Sequence, residues 1–200
     1  MTLIEILRKR RSIRKFTDRP VEKEVVVLFE EALLRSPSSR GIQPWNFILV
    51  TESTMIRQLA SAKQHGSEFL AGAALAVVIT GDETRSDVWT EDCSIAAIII
   101  QLLAVDLGLG SCWAQIRNRP HDAQTSAESF VQSLLDIPRH ERVAMIIGLG
   151  YPEENPPPVP AEKLDRSKIR HIPAPAGTQN PWREGEAIEG SRRESYSDAR

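Results

Sequence analysis

Ser36-Pro37-Ser38-Ser39-Arg40-Gly41-Ile42-Gln43-Pro44-Trp45-Asn46-Phe47 joins the end of one apolar-periodic segment to the start of a β-prone one. Before it, Val25, Leu28, Phe29, Ala32 and Leu33 fall at i, i+3, i+4, i+7 and i+8, one face of a helix that Ser36-Pro37 terminates. After it, Phe47-Ile48-Leu49-Val50 is the continuous run expected of a strand buried on both faces. Two prolines stiffen the loop, Gly41 allows backbone angles closed to other residues, and Ser38 and Ser39 bring hydroxyls beside their own N–H groups. Many loops of this composition bind nothing, so its meaning depends on its surroundings.

Working outward, Thr2-Leu3-Ile4-Glu5 has the spacing of a capping box and predicts a short helix to about Arg10. Ser53 or Thr54 is placed to cap a helix reaching towards Lys63. Ala74 to Thr80 reads as a second buried strand closed by Gly81-Asp82. Asp87 then caps a long helix whose apolar residues wrap nearly its whole circumference, with Gly108 where a left-handed terminal residue is wanted. A strand from Ser111 to Ile116, a helix from about Ala123 to Leu135 and a strand from Val143 to Leu149 follow. From Pro152 the chain turns rich in Pro, charge and Gly, so residues 152–172 are expected to form an extended arm. Residues 173–200 show no apolar periodicity and are expected to be a mobile polar tail.

Two hundred residues suffice for one core without staples. A formal net charge of -2 supplies no field to draw in nucleic acid or an anionic membrane, and neither partner is expected. Ile95 to Val105, the longest apolar stretch, is broken by Gln101 and falls well short of the roughly 20 residues of a membrane span. Cys93 and Cys112 stand in no spacing suited to a metal, and a reducing cytoplasm is expected. The start of the chain lacks the apolar core of a secretory signal. His65, His121, His140 and His171 are scattered, and no Ser-His-Asp set, carboxylate pair or glycine-rich phosphate loop is present. Cys112 reads as a packed thiol, and Trp45 and Trp113 as core or interface anchors.

Near the first helix stands Arg10-Arg11-Ser12-Ile13-Arg14-Lys15-Phe16. A basic run is often only a solvated face, but Ile13 and Phe16 interrupt this one and should pin it to the body while the guanidiniums project. Such a strip presents a fixed fork to a phosphate. Taken together, Arg10 to Phe16 and Pro37 to Phe47 strongly resemble the two N-terminal signatures of the FMN-dependent nitroreductase family. Trp89-Thr90-Glu91-Asp92, Gly108 to Trp113, and Gly148-Leu149-Gly150-Tyr151-Pro152 resemble its later landmarks in the right order, so that the likeness spans about Thr2 to His171.

The resemblance implies an α+β fold, a central mixed β-sheet flanked by helices, in an intertwined homodimer with two FMN sites. Residues 1–172 would be the FMN-binding domain. By similarity, Arg10, Arg11, Ser12 and Arg14 would hold the phosphate, ribityl chain and pyrimidine side of FMN. Pro37, Ser38, Ser39 and Gln43 would belong to the loop that reaches the same flavin from the other subunit. Trp113, Ala114, Gln115 and Ile116 would run beside the ring, with the backbone N–H of Gln115 or Ile116 near N5. Arg166 and Lys168 would be a late basic pair for the phosphate. The implied activity is NAD(P)H-dependent reduction of nitroaromatics, quinones or similar acceptors by ping-pong hydride transfer, with no acid or base from the protein. Cations near N1 and O2 would favour the reduced flavin. Two departures stand out: Gly41 where relatives commonly carry Asn, and Gln115 where Glu is common. The loop also resembles flavin destructases, and dehalogenases share the fold; a non-catalytic flavin-binding dimer is a further alternative.

Overall fold

The computed structural model describes residues 1–172, and the tail expected over residues 173–200 lies outside them. The chain divides after Val159 into two units, of which the second is described over residues 160–172. In the first, the helices are α1 (Leu3–Lys9), α2 (Lys23–Leu34), α3 (Ser53–Ala60), α4 (Trp89–Asp106) and α5 (Ala127–Leu135). The strands are β1 (Trp45–Val50), β2 (Leu75–Asp82), β3 (Gly110–Gln115) and β4 (Glu141–Gly150), in spatial order β1-β2-β4-β3. In the second unit, short 3-10 turns cover Ala161–Lys163 and Arg166–Lys168.

The α+β class stands, but all three strand pairings are antiparallel. The parallel component of the expected mixed sheet is, among the described residues, an isolated bridge between Ser12 and Ser111. Continuous apolar runs such as Ala76 to Ile79 report burial of both sheet faces, not strand direction. Leu75, Val77 and Ile79 face the cluster built with Phe29, Leu33 and the buried side of α4, whereas Ala76 and Val78 face the one with Ile56, Leu59 and Val131. α4 covers one face and α3 with α5 the other.

Several boundaries move for identifiable reasons. The α3 cap is Glu52, whose two carboxylate oxygens accept the N–H groups of Thr54 (2.7 Å) and Met55 (2.6 Å), so that Ser53 and Thr54 fall inside the first turn. α5 begins at Ala127, not near Ala123. The Asp122 carboxylate accepts the N–H groups of Gln124 (2.8 Å) and Thr125 (2.6 Å), which closes a turn, and the Ser126 hydroxyl then caps the helix at Ser129 N–H (3.0 Å). Ahead of α4 the Ser86 hydroxyl accepts from Val88 N–H (3.3 Å), while Asp87 lies 3.5 Å from Arg40. The capping box of α1 holds, with Thr2 N–H donating to Glu5 at 2.7 Å. Gly108 takes the left-handed conformation expected of it (φ +76).

Apolar side chains remain exposed on the helical side: Leu3, Ile4 and Leu7 on α1, Val27, Leu28 and Leu34 on α2, and Ile95 and Ile98 on α4. Since α1 and α2 both pack on α4, this is more surface than a chain working alone ordinarily leaves bare.

Gly110 fixes how the N-terminal strip meets the sheet. A Cβ there would lie 2.7 Å from Ile13 Cβ and 2.8 Å from each of its γ carbons. Gly110→Ala is therefore expected to destabilise by about 1–3 kcal/mol through overpacking, lowering the thermal midpoint by about 2–10 °C. An unchanged melting curve would show that Ile13 is not clamped.

Candidate cofactor site

The strip from Arg10 to Phe16 is held at several points along its length. Ser12 bridges Ser111, Ile13 N–H donates to Ser111 C=O (2.9 Å), and Ile13 and Phe16 are buried. Phe16 bridges Pro152, and Thr17 N–H donates to Tyr151 C=O (2.9 Å). Two apolar anchors thus hold the segment while its cations stay at the surface, as the pattern predicts.

Ile13 and Phe16 turn inward, whereas Arg14 is exposed and Arg10 and Ser12 are half-buried. Neither Arg10 nor Arg14 forms an ion pair among the described residues. Arg11 differs: its guanidinium donates to the carbonyl of Pro157, tying the strip to the chain after β4. It also lines a cavity of about 370 Å³ with Lys9, Ile13, Gly108 and Pro152 to Pro156. One guanidinium N–H of Arg11 is thus used on the chain after β4.

β3 lies beside the strip at the sheet edge. Because Ser111 C=O accepts from Ile13, the backbone groups of Ser111, Trp113 and Gln115 point outward by antiparallel alternation, and those of Cys112, Ala114 and Ile116 point towards β4. Ile116 N–H accordingly donates to Ala144 C=O at 3.2 Å. Of the two backbone donors considered for N5, Gln115 is on the open edge and Ile116 is taken. The Gln115 side chain accepts from Trp113 Nε1 (3.0 Å) and donates to Arg117 C=O (3.2 Å), fixing the edge beyond Ser12. Ser111 Oγ is buried and has no hydrogen-bond partner among the described residues.

Cys112 sits beneath this surface. Burial pushes its thiol up, and the nearby Arg14 charge partly offsets that. Cys93 is pushed up to about 12, chiefly by burial, and its Sγ donates to Thr80 C=O at 3.3 Å. Neither is a thiolate at neutral pH, as a packed role requires. Lys63, just past α3, was not singled out by the sequence. Its ammonium is pulled down mainly by burial and then by the Arg119 charge, and it also feels Cys112. Nothing in Lys63-Gln64-His65 signals this, because the proximity comes from the packing of α3 on the sheet.

The serine loop lies elsewhere. Ser39 N–H donates to the buried carboxylate of Asp92 (2.8 Å), in the first turn of α4, and Gln43 N–H donates to Ser38 Oγ (2.8 Å). Arg40 (φ +54), Gly41 (φ +67) and Gln43 (φ +51) all adopt left-handed angles, a concentration of strain typical of loops kept for binding. Pro37 and Gln43 are exposed, and Ser38 and Ser39 half-buried. The strip is anchored where β3 leaves the other end of α4, and Asp92 to Asp106 spans about 20 Å at 1.5 Å per residue. One protomer therefore holds the two signatures apart. Arg166 and Lys168 are exposed on the second unit, at either end of a turn in which Asp165 accepts from Ser167 N–H (3.1 Å).

At Gly41 an added Cβ would meet nothing within 4 Å. Asparagine tolerates this backbone region better than other side chains. Gly41→Asn is thus expected to fold with a thermal midpoint within about 4 °C of the parent; a larger loss would mean that glycine is required there.

The family model for the Nitroreductase family matches residues 7–64 and 52–151. A protein of Methanothermobacter thermautotrophicus carrying the name "Putative NADH dehydrogenase/NAD(P)H nitroreductase" is 33% identical over 159 residues, 78% of this chain and 80% of the relative. The solved FMN-dependent nitroreductase of Clostridium difficile R20291 is 41% identical, with a TM-score of 0.83 over 86% of this chain and 99% of that one. A nitroreductase family protein of Clostridium novyi NT superposes with a TM-score of 0.67 at 25% identity, over 76% of this chain and 88% of that one. With two signatures in place and matches running through nearly the whole first unit, this chain belongs to the nitroreductase family.

Proposed function

We propose that this protein is an NAD(P)H-dependent FMN oxidoreductase whose flavin sites are completed by a second copy of the chain. The observation that carries the reading is the separation of the strip and the strained serine loop at opposite ends of α4, combined with cations on the strip that form no ion pair among the described residues. Two copies docked through the exposed residues of α1, α2 and α4 would bring one protomer's loop to the other's strip. Residues 1–172 would form the cofactor-binding domain, with 152–172 as its arm.

The residues present fit FMN. Arg10 and Arg14 supply positive charge in no ion pair among the described residues, the outward N–H of Gln115 supplies a donor at the sheet edge, and the Ser111 Oγ, orphaned among the described residues, marks a polar spot next to Ser12. Pro37, Ser38, Ser39 and Gln43 would close the site from the partner chain, and Trp113 and Ala114 would flank the ring. Arg11 would act indirectly, by holding the arm. When bound, FMN would take hydride from NAD(P)H and pass it to a nitroaromatic, quinone or similar acceptor in alternate half-reactions. The protein's part would be orientation and electrostatics: cations stabilise charge near N1 and O2, and a backbone donor positions N5. Buried, protonated cysteines suit a reducing cytoplasm.

The test is anaerobic addition of NADH and of NADPH to the FMN-loaded protein while the long-wavelength flavin absorbance is followed. Bleaching by at least one, reversed by a nitroaromatic or quinone, is expected. Retention of full absorbance with both would contradict the reading.

A further inference from the structure

Glu154 belongs to the chain after β4 and was not among the candidates read from the sequence. Its carboxylate accepts the backbone N–H of Arg14 at 2.5 Å and that of Lys15 at 3.2 Å. The next link points the same way: Glu153 N–H donates to Lys15 C=O at 3.0 Å. With the Pro152 bridge to Phe16 on one side and the Arg11 clamp on Pro157 on the other, residues 152–157 form a splint along the strip. Glu154 is the member of that splint that carries charge to Arg14. Its carboxyl is held below the usual range, first by the Arg14 N–H and with help from the Lys15 and Arg14 charges. The Cys112 thiol is influenced by Arg14 and Glu154 with opposite signs, which places both charges around the same point beneath the candidate site.

We propose that Glu154 is a positioning residue for the bound cofactor, fixing the backbone from which Arg14 projects and setting a negative charge against the cation that faces the flavin. This rests on the FMN reading above. The two effects separate chemically. Removing the carboxylate frees two N–H groups and lets Arg14 wander, which loosens binding. Replacing it with an isosteric amide keeps one good acceptor but removes the charge, so the reduced flavin, which carries negative charge near N1 and O2, is favoured more strongly.

The experiment compares wild type, Glu154→Ala and Glu154→Gln by FMN titration of the apoprotein, by the midpoint potential of bound FMN, and by urea unfolding of the apoprotein. Glu154→Ala is expected to bind FMN about tenfold more weakly, with a modest fall in the urea midpoint from the loss of two hydrogen bonds to the half-buried side chain. Glu154→Gln is expected to recover most of the affinity and to shift the potential upward. If Glu154→Ala unfolds, the Gln variant alone decides, since a purely structural role would leave its potential unmoved. Wild-type affinity in the Ala variant, or an unshifted potential in the Gln variant, overturns the proposal. A wild-type protein that takes up no FMN overturns the parent reading and this one with it.

Discussion

Ile98→Asp is expected to give a folded monomer that no longer retains FMN. Ile98 is 37% exposed in the single chain, three residues along α4 from Ile95 at 38%, and the side of α4 opposite it is fully buried. A charge at position 98 therefore leaves the core intact while making the apolar surface of α1, α2 and α4 costly to bury in a dimer. Loss of the partner's loop from the site would remove several contacts together. FMN affinity should fall about a hundredfold or more, the equivalent of two charge-assisted hydrogen bonds. Sedimentation velocity together with flavin titration checks both halves of the expectation. Leu28→Asp, on α2, should behave alike; a variant that stays dimeric, or a monomer that keeps FMN, would place the interface elsewhere.

Arg14→Ala is the second large effect. The Arg14 side chain is exposed and unpaired among the described residues. Its loss should weaken FMN binding about tenfold to a hundredfold, because a guanidinium meeting an anionic or polar flavin edge makes charge-assisted bonds of about 1.5–3 kcal/mol. Lys9→Ala, at the end of α1, should change binding by less than about threefold. Equilibrium titration of the two apoproteins with FMN discriminates: equal losses would assign the cofactor contact to another cation.

What the sequence made legible was local. Ile13 and Phe16 could be read as anchors because they are apolar among charges, and their burial needs no knowledge of distant partners. The loop from Ser36 to Phe47 could be placed between a helix and a buried strand for the same reason. The fate of Arg11 was not legible, since its partner is the Pro157 carbonyl, 146 residues away. Gln115 and Ile116 looked equivalent until strand pairing gave the Ile116 N–H to Ala144. The antiparallel sheet was hidden because two-sided burial erases the alternation by which antiparallel strands are usually told from parallel ones. Glu154 was missed because it reaches the strip, and Lys63 because it reaches Cys112, through tertiary packing, and neither stands in a motif.

The central claim is that one flavin is held jointly by the arginine strip of one chain and the serine loop of another. Its most direct test is to titrate the apoprotein with FMN while mass is recorded by light scattering across a dilution series that dissociates the assembly. The expected result is one FMN per chain bound by a species of two chains, with flavin released as that species gives way to single chains. Full FMN occupancy on a single chain, or a dimer that binds none, would contradict it.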